Sequence, residues 1–94
     1  MNVSTSTRDT VATIRLQGRF DFSVHREFRE AVKSAVSASE VREIEIDLSA
    51  VTYMDSSALG MLLLSRENAA TERKTVILVR PAENVRQVLE VANF

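Results

Sequence analysis

The chain has 94 residues, with 12 basic and 13 acidic side chains and a formal net charge of −1, a length that favours one compact domain spanning residues 1–94. No block of Lys or Arg is long enough to neutralise several adjacent phosphates, which argues against a nucleic-acid-binding protein. The absence of cysteine excludes disulfides, thiolate nucleophiles and sulfur-ligated metals.

The overall composition is typical of a soluble globular protein, with 45% hydrophobic and 27% charged residues. The apolar run from Met61 to Leu64 is far shorter than the roughly 20 residues that span a bilayer. The N-terminus also lacks the charged and apolar regions of a secretory signal. We therefore expect a cytoplasmic protein with no membrane segment.

The first segments of the chain predict a β-hairpin. From residue 11 to 17 apolar and polar residues alternate, which is the period of a strand with one buried face, and this strand should end at Gly18. The β-branched stretch 3–7 can pair with it through a turn at Arg8 and Asp9, because Asp favours turn positions.

An amphipathic helix is predicted next, with Ser23 as its N-cap and an end between residues 37 and 39. The single histidine, His25, reads as an ordinary residue on a face of this helix. Apolar residues recur at three- and four-residue spacing while charged residues occupy the other side, so one face should be buried: Val24, Phe28, Ala31, Val32 and Ala35.

Further along, alternation over residues 44–48 predicts a second strand that leads into Asp55. A second helix should start with Asp55 as its N-cap and continue to about Thr71. The next strand, 75–79, contains four consecutive apolar residues, as expected of a strand covered on both faces. Pro81 breaks it, and a short final helix is indicated by apolar spacing at Val85, Val88 and Leu89.

Strands that alternate with helices predict an α/β fold with parallel β-α-β connections. We expect a mixed sheet of about four strands packed against about three helices.

The junction before the second helix holds Asp55, Ser56 and Ser57. The first turn of a helix has unpaired N–H groups and partial positive charge, so a hydroxyl there is exposed, modifiable and able to carry a phosphate. Taken alone, these residues are better explained by capping, with Asp55 as the cap and the serines as polar filler.

The run YMDSSALGMLL, preceded by IEIDLSAV, closely resembles the signature of the STAS-domain anti-sigma factor antagonists, small bacterial regulators switched by serine phosphorylation. VATIRLQGRFDF resembles that family's N-terminal strand and Gly-acidic turn, and TVILVRPAENVRQVLEVANF its late strand and helix. Ala58 departs from the Gly that many members have, and as a better helix former it should make the helix start firmer. Members commonly continue beyond the equivalent of Phe94, so we expect a bare sheet edge at the C-terminal end.

This resemblance implies a single STAS domain in which Ser56 is the phosphate acceptor, Asp55 supports the switch, Ser57 is structural and Asp21 lies beside the phosphoacceptor loop. The unphosphorylated protein would bind an anti-sigma factor or an equivalent regulator. A serine kinase would phosphorylate Ser56 and so release the partner, and a serine phosphatase would reverse this. The implied role is transcription regulation by signal transduction, with no enzyme activity, cofactor or metal.

Several alternatives remain open at the level of sequence. A ligand-binding or scaffolding STAS domain in a sensory complex could use the same helix start without phosphorylation. A Ser-His-Asp hydrolase built on Ser56 and His25 lacks a second histidine, a Gly-x-Ser-x-Gly elbow and an oxyanion loop. Phe20 and Phe22 are either core contacts or, where exposed, partner anchors. An uncovered sheet edge could also support a weak homodimer.

Overall fold

The computed structural model describes residues 2–91 and has the predicted α/β architecture. Within these residues one mixed sheet contains four strands in sequential order: β1 (Asn2–Arg8), β2 (Val11–Phe20), β3 (Glu43–Met54) and β4 (Thr75–Val79). A short 3-10 turn at Phe22–Val24 precedes the first of the three helices found in the same part of the chain: α1 (His25–Ser37), α2 (Ser56–Thr71) and α3 (Glu83–Val91). No helix within residues 2–91 is long and apolar enough to cross a membrane.

The predicted hairpin is confirmed, because β1 and β2 pair antiparallel from Asn2↔Gln17 to Arg8↔Val11. Asp9 takes a left-handed φ of 55° in the tight turn between them, a conformation that Asp tolerates better than most residues. β2 with β3 and β3 with β4 pair in parallel, so α1 and α2 are the crossover connections. The C-terminal ends of β2 and β3 therefore lie side by side.

β2 continues past the predicted end at Gly18. Gly18 has a φ of 104°, which strongly favours glycine, and the pairing register shifts there. Pairing then resumes at Arg19↔Tyr53 and Phe20↔Met54, so both strands end at the same level. Gly18 is therefore an irregularity within β2 and not its end. Because the strand continues for two more residues, the loop after β2 lies next to the loop after β3.

The core lies between the sheet and the apolar faces of the helices. The predicted face of α1 is confirmed, with Ala31 half-buried and the other four residues buried. The Phe28 ring contacts Phe20 on β2, with ring centroids 5.1 Å apart. The fully buried sheet side chains that these helices cover come from the two central strands: Ile14, Leu16, Ile44, Ile46 and Leu48.

β4 has the predicted bounds but not the predicted burial. Val76 and Leu78 are half-buried, whereas Thr75 and Ile77 are exposed. The expectation of cover on both faces is wrong because only the face of Val76 and Leu78 packs against the core, whereas Ile77 lies beside Glu45 on the opposite face, where it stays exposed. A continuous apolar run does not distinguish a strand covered on both faces from one covered on a single face.

An ion pair between a buried carboxylate on β3 and the exposed guanidinium of Arg80 connects β3 to the residue that follows β4. The Asp47 carboxylate, on a residue 4% exposed, accepts a hydrogen bond from the Ser49 backbone N–H at 2.9 Å and another from Arg80 Nη2 at 2.8 Å. Burial alone would raise the pKa of Asp47. The hydrogen bonds from Ser49 and Arg80 outweigh burial and lower this pKa from its ordinary 3.8 to about 2.

The stability of the fold should therefore decrease at acid pH through Asp47. Because the pKa is lower in the folded state than in the unfolded state, the stabilisation is complete above about pH 4 and is lost as the pH falls towards 2. A difference between 3.8 and about 2 corresponds to about 2 kcal/mol. Urea unfolding of wild type and Asp47→Asn at several pH values should give curves that converge at low pH. A separation that stays constant with pH would contradict this account.

Candidate functional site

The predicted capping of α2 by Asp55 is confirmed. Asp55 has an extended backbone (φ −106°, ψ −177°), and its Oδ1 accepts a hydrogen bond from the Ala58 N–H at 2.9 Å. The Asp55 carbonyl also accepts from the Leu59 N–H at 3.1 Å, the first bond of the helix. The helix thus starts at Ser56, with its first N–H groups and the positive end of its dipole close to that side chain.

The two serines of the junction have different surroundings. Ser57 is half-buried, and its hydroxyl donates to Asp55 Oδ1 at 2.6 Å, so it forms part of the cap. Ser56 is exposed, and within residues 2–91 no hydrogen bond engages its hydroxyl. Of the two hydroxyls, only that of Ser56 is both accessible and uncommitted.

The loop after β2 lies against this junction, because the Asp55 N–H donates to the Phe20 carbonyl at 3.4 Å. Asp21 follows Phe20 and accepts hydrogen bonds at Oδ1 from the Ser23 N–H at 3.0 Å and the Ser23 hydroxyl at 2.5 Å. The predicted capping role of Ser23 is wrong: Asp21 caps the 3-10 turn, and α1 starts after Val24 without a side-chain cap. Because a 3-10 turn precedes α1, the capping residue is Asp21, two residues before the predicted Ser23.

Both acidic side chains of the junction are held in their charged form. The Ser57 hydroxyl and then the Ala58 N–H lower the pKa of Asp55. The Ser23 hydroxyl and then the Ser23 N–H lower the pKa of Asp21, while Asp55 raises it slightly through like-charge repulsion. The two carboxylates are thus close enough to interact, and at neutral pH both are negative.

Two exposed aromatic side chains flank the junction. Phe22 is 61% exposed and Tyr53 is 40% exposed. The Arg19 guanidinium lies over the Tyr53 ring at 4.1 Å from the centroid, and its Nε is 3.8 Å from Asp21. The core-contact alternative therefore holds for Phe20 and is wrong for Phe22, whose exposure is that expected of a partner anchor. No sequence pattern near Arg19 or Tyr53 predicts their contact, because only the register between β2 and β3 brings the two side chains together.

The residues of a hydrolytic triad are not assembled. His25 stacks on Phe22 with ring centroids 4.2 Å apart, and its Nδ1 donates to the Phe22 carbonyl at 2.8 Å. Asp55 is bonded to Ser57 and Ala58, so no chain of hydrogen bonds joins His25, Ser56 and Asp55 in the part of the chain that is described. Over the same residues there is no group of three or more His, Asp or Glu side chains able to hold a metal ion.

Comparison with known proteins gives one consistent result. Residues 3–94 match the family model described as Mlab, STAS domain. A STAS-domain-containing protein of Pseudomonas aeruginosa is 45% identical over 82 residues, which are 87% of this chain and 79% of that protein. The anti-sigma F factor antagonist of Lysinibacillus sphaericus is 33% identical over 89 residues, covering 94% of this chain and 74% of that protein.

The same fold occurs in SpoIIAA, an anti-sigma factor antagonist and Bacillus cell fate determinant. Its unphosphorylated form superposes with a TM-score of 0.85 at 22% identity, covering 98% of this chain and 81% of SpoIIAA. Its phosphorylated form gives a TM-score of 0.78 at 22% identity, covering 97% and 83%. At this identity the likeness concerns the fold.

Proposed function

The chain belongs to the STAS domain family, and we propose that it is a partner-switching regulator of the anti-sigma factor antagonist type, released from its partner when Ser56 is phosphorylated. The observation that carries this proposal is the contrast between the serines at the start of α2. Ser56 presents a free, exposed hydroxyl, whereas the Ser57 hydroxyl is committed to the Asp55 cap. A kinase could reach Ser56 without unfolding the helix.

The added charge would fall where negative charge is already concentrated. A phosphoryl group carries about −1.5 to −2 charge at neutral pH, next to the carboxylates of Asp55 and Asp21. The start of α2 offsets part of this charge through the helix dipole, so the domain itself should stay folded. A partner seated on the junction would instead have to desolvate a dianion, which is costly unless it supplies matched Arg or Lys side chains.

The partner proposed for the unmodified form is an anti-sigma factor or an equivalent regulator. The relative from Lysinibacillus sphaericus is an anti-sigma F factor antagonist, and this chain covers 74% of its length. Phe22 and Tyr53 provide exposed aromatic surface beside Ser56, and aromatic residues dominate the energetics of many interfaces. Asp55 and Ser57 shape the helix start, and Asp21 adds negative charge next to it.

The phosphoryl transfer is assigned to other proteins. A serine kinase would modify Ser56 and a serine phosphatase would restore the hydroxyl, so this protein would be their substrate in the cytoplasm and would need no cofactor. Its own contribution is binding. The unassembled arrangement of His25, Ser56 and Asp55 supports this non-enzymatic role.

Mass spectrometry of the protein isolated from its native cells tests the modification directly. We expect a phosphorylated fraction at Ser56 that changes with growth condition and is absent from Ser57. In parallel, purified Ser56→Ala and Ser56→Asp proteins would be used as bait, and partners retained by Ala and lost with Asp are the switched ones. A complete lack of modification under all conditions, with equal recovery by both baits, would favour a ligand-binding or scaffolding role instead.

A further inference from the structure

A groove with an apolar floor runs between α1 and α2. Two adjoining hollows of about 200 Å³ and 330 Å³ form it, and they share Arg29, Val32 and Asn68 as lining residues. Phe22 and Leu64, which are 61% and 51% exposed, lie at the end formed by the first hollow. The apolar side chains of the groove come from both helices and the turn before α1: Phe22, Phe28, Val32, Val36, Met61 and Leu64.

The charges along this groove are all of one sign. Arg29 and Lys33 line it on the α1 side together with His25, and no carboxylate lines either hollow among the described residues. The acidic residues of the same helix, Glu27 and Glu30, line a different hollow on the side that faces β1. Of the charged side chains of α1, the groove is therefore lined by two cations, Arg29 and Lys33, and by neither of the carboxylates, Glu27 and Glu30.

We infer that this groove is a docking site for an acidic amphipathic helix of a partner protein. The walls are side chains that recur at three- and four-residue spacing, and such walls accept the apolar face of a helix. At 1.5 Å per residue the 13 residues of α1 span about 20 Å, so a helix of three to four turns would fill the groove. Glu and Asp on its flank would pair with Arg29 and Lys33.

The groove also links this inference to the switch, and this link alone rests on the proposed function. It starts at Phe22, the residue after Asp21, and α2 starts at Ser56. An acidic partner helix in the groove would end near the phosphoryl group at the start of α2, so modification would repel the negative charge of that helix. The docking site itself does not depend on whether Ser56 is ever modified.

Selection of peptides on the purified protein identifies the occupant. A displayed library of random peptides of about 16 residues, long enough for four helical turns, would be enriched on wild type after depletion on Leu64→Asp. We expect enriched sequences with apolar residues at i, i+3, i+4 and i+7 and an excess of Glu and Asp on the flanks. Basic or non-helical sequences would overturn the inference, as would no enrichment at all.

Charge reversal then tests the selected peptide. Its affinity should fall about tenfold or more for Arg29→Glu with Lys33→Glu, and a version with Lys in place of each acidic residue should bind this variant better than wild type. Met61→Ala should also weaken binding, whereas Ile77→Ala, at an exposed apolar residue on β4 outside the groove, should leave it unchanged. Equal loss with Ile77→Ala would overturn the inference.

Two further measurements separate this inference from its competitors. Sedimentation should show a monomer whose groove variants behave like wild type, and self-association abolished by Leu64→Asp would assign the groove to a second copy instead. Binding of a fluorescent fatty acid would be measured on the same variants. Binding that is lost in Met61→Ala but unchanged by the charge reversal would assign the groove to an acyl chain. Peptide binding to the purified protein, combined with a lack of Ser56 phosphorylation in native cells, would leave this inference intact while removing the proposed switch.

Discussion

Replacing Ser56 by Asp should weaken binding of the switched partner about thirtyfold, and full phosphorylation should weaken it about a thousandfold. These changes correspond to about 2 and 4 kcal/mol. The Asp side chain adds one negative charge that the partner would bury, and the phosphoryl group adds about two. Both lie next to the carboxylates of Asp55 and Asp21. Isothermal titration or surface plasmon resonance with the captured partner measures both values.

The decisive control is Ser56→Asn, which has the shape of Asp without its charge. We expect Ser56→Asn and Ser56→Ala to bind within a few-fold of wild type. Ser6→Asp, at an exposed position on β1, adds the same net charge far along the sheet from the junction and should have little effect. Should Asn weaken binding as much as Asp, the switch would be steric and the electrostatic mechanism would be wrong.

Salt dependence gives an independent check on the same mechanism. Repulsion between exposed charges is screened over about 8 Å at physiological ionic strength and over about 3 Å at 1 M. The difference between Ser56→Asp and Ser56→Asn should therefore shrink as salt is added, to the extent that the interface admits solvent. A difference that grows with salt would contradict an electrostatic origin.

Much of this fold follows from local patterns in the sequence. Alternation over 11–17 and 44–48, apolar spacing in the helices and the cap at Asp55 are all short-range signals, and the structure confirms them. The errors arise where long-range pairing decides. Gly18 looks like a strand end but continues the strand because β3 is there to pair with, and β4 looks covered on both faces but leaves Ile77 exposed.

The candidate site shows the same division. Capping by Asp55 could be predicted because the residues involved are within three positions of one another. The neighbourhood of Asp21, Tyr53 and Arg19 could not, because it depends on the register between β2 and β3. The exposure of Phe22 could not be predicted from the sequence either, since an aromatic residue after a strand is more often buried.

The largest effect on stability that we expect comes from Lys74, which no pattern in the sequence singles out. Lys74 is 8% exposed and lies between α2 and β4. Its ammonium group donates hydrogen bonds to the carbonyls of Val36 at 2.5 Å and Ala38 at 2.6 Å, with a longer contact to Ala35 at 3.4 Å. These are end carbonyls of α1, a helix without a basic residue in its own last turn.

Lys74→Met should therefore lower the free energy of unfolding by about 3 kcal/mol. Methionine keeps the length and apolar stem of lysine but leaves these carbonyls without their donor, and an unsatisfied buried polar group costs about 1 to 3 kcal/mol. The cation also complements the negative end of the α1 dipole, a contribution of up to about 2 kcal/mol in partly buried positions. Urea denaturation monitored by circular dichroism measures the change.

Lys33→Met is the matched control, because Lys33 is an exposed lysine on the helix that Lys74 caps. Its effect should stay within about 0.5 kcal/mol, as is usual for surface substitutions. Amide exchange should also accelerate in the last turn of α1 in Lys74→Met and not in Lys33→Met, since a helix end without its cap frays first. A loss below about 1 kcal/mol would mean that water replaces the ammonium at these carbonyls, and the connection between α2 and β4 would then contribute little to holding α1 in place.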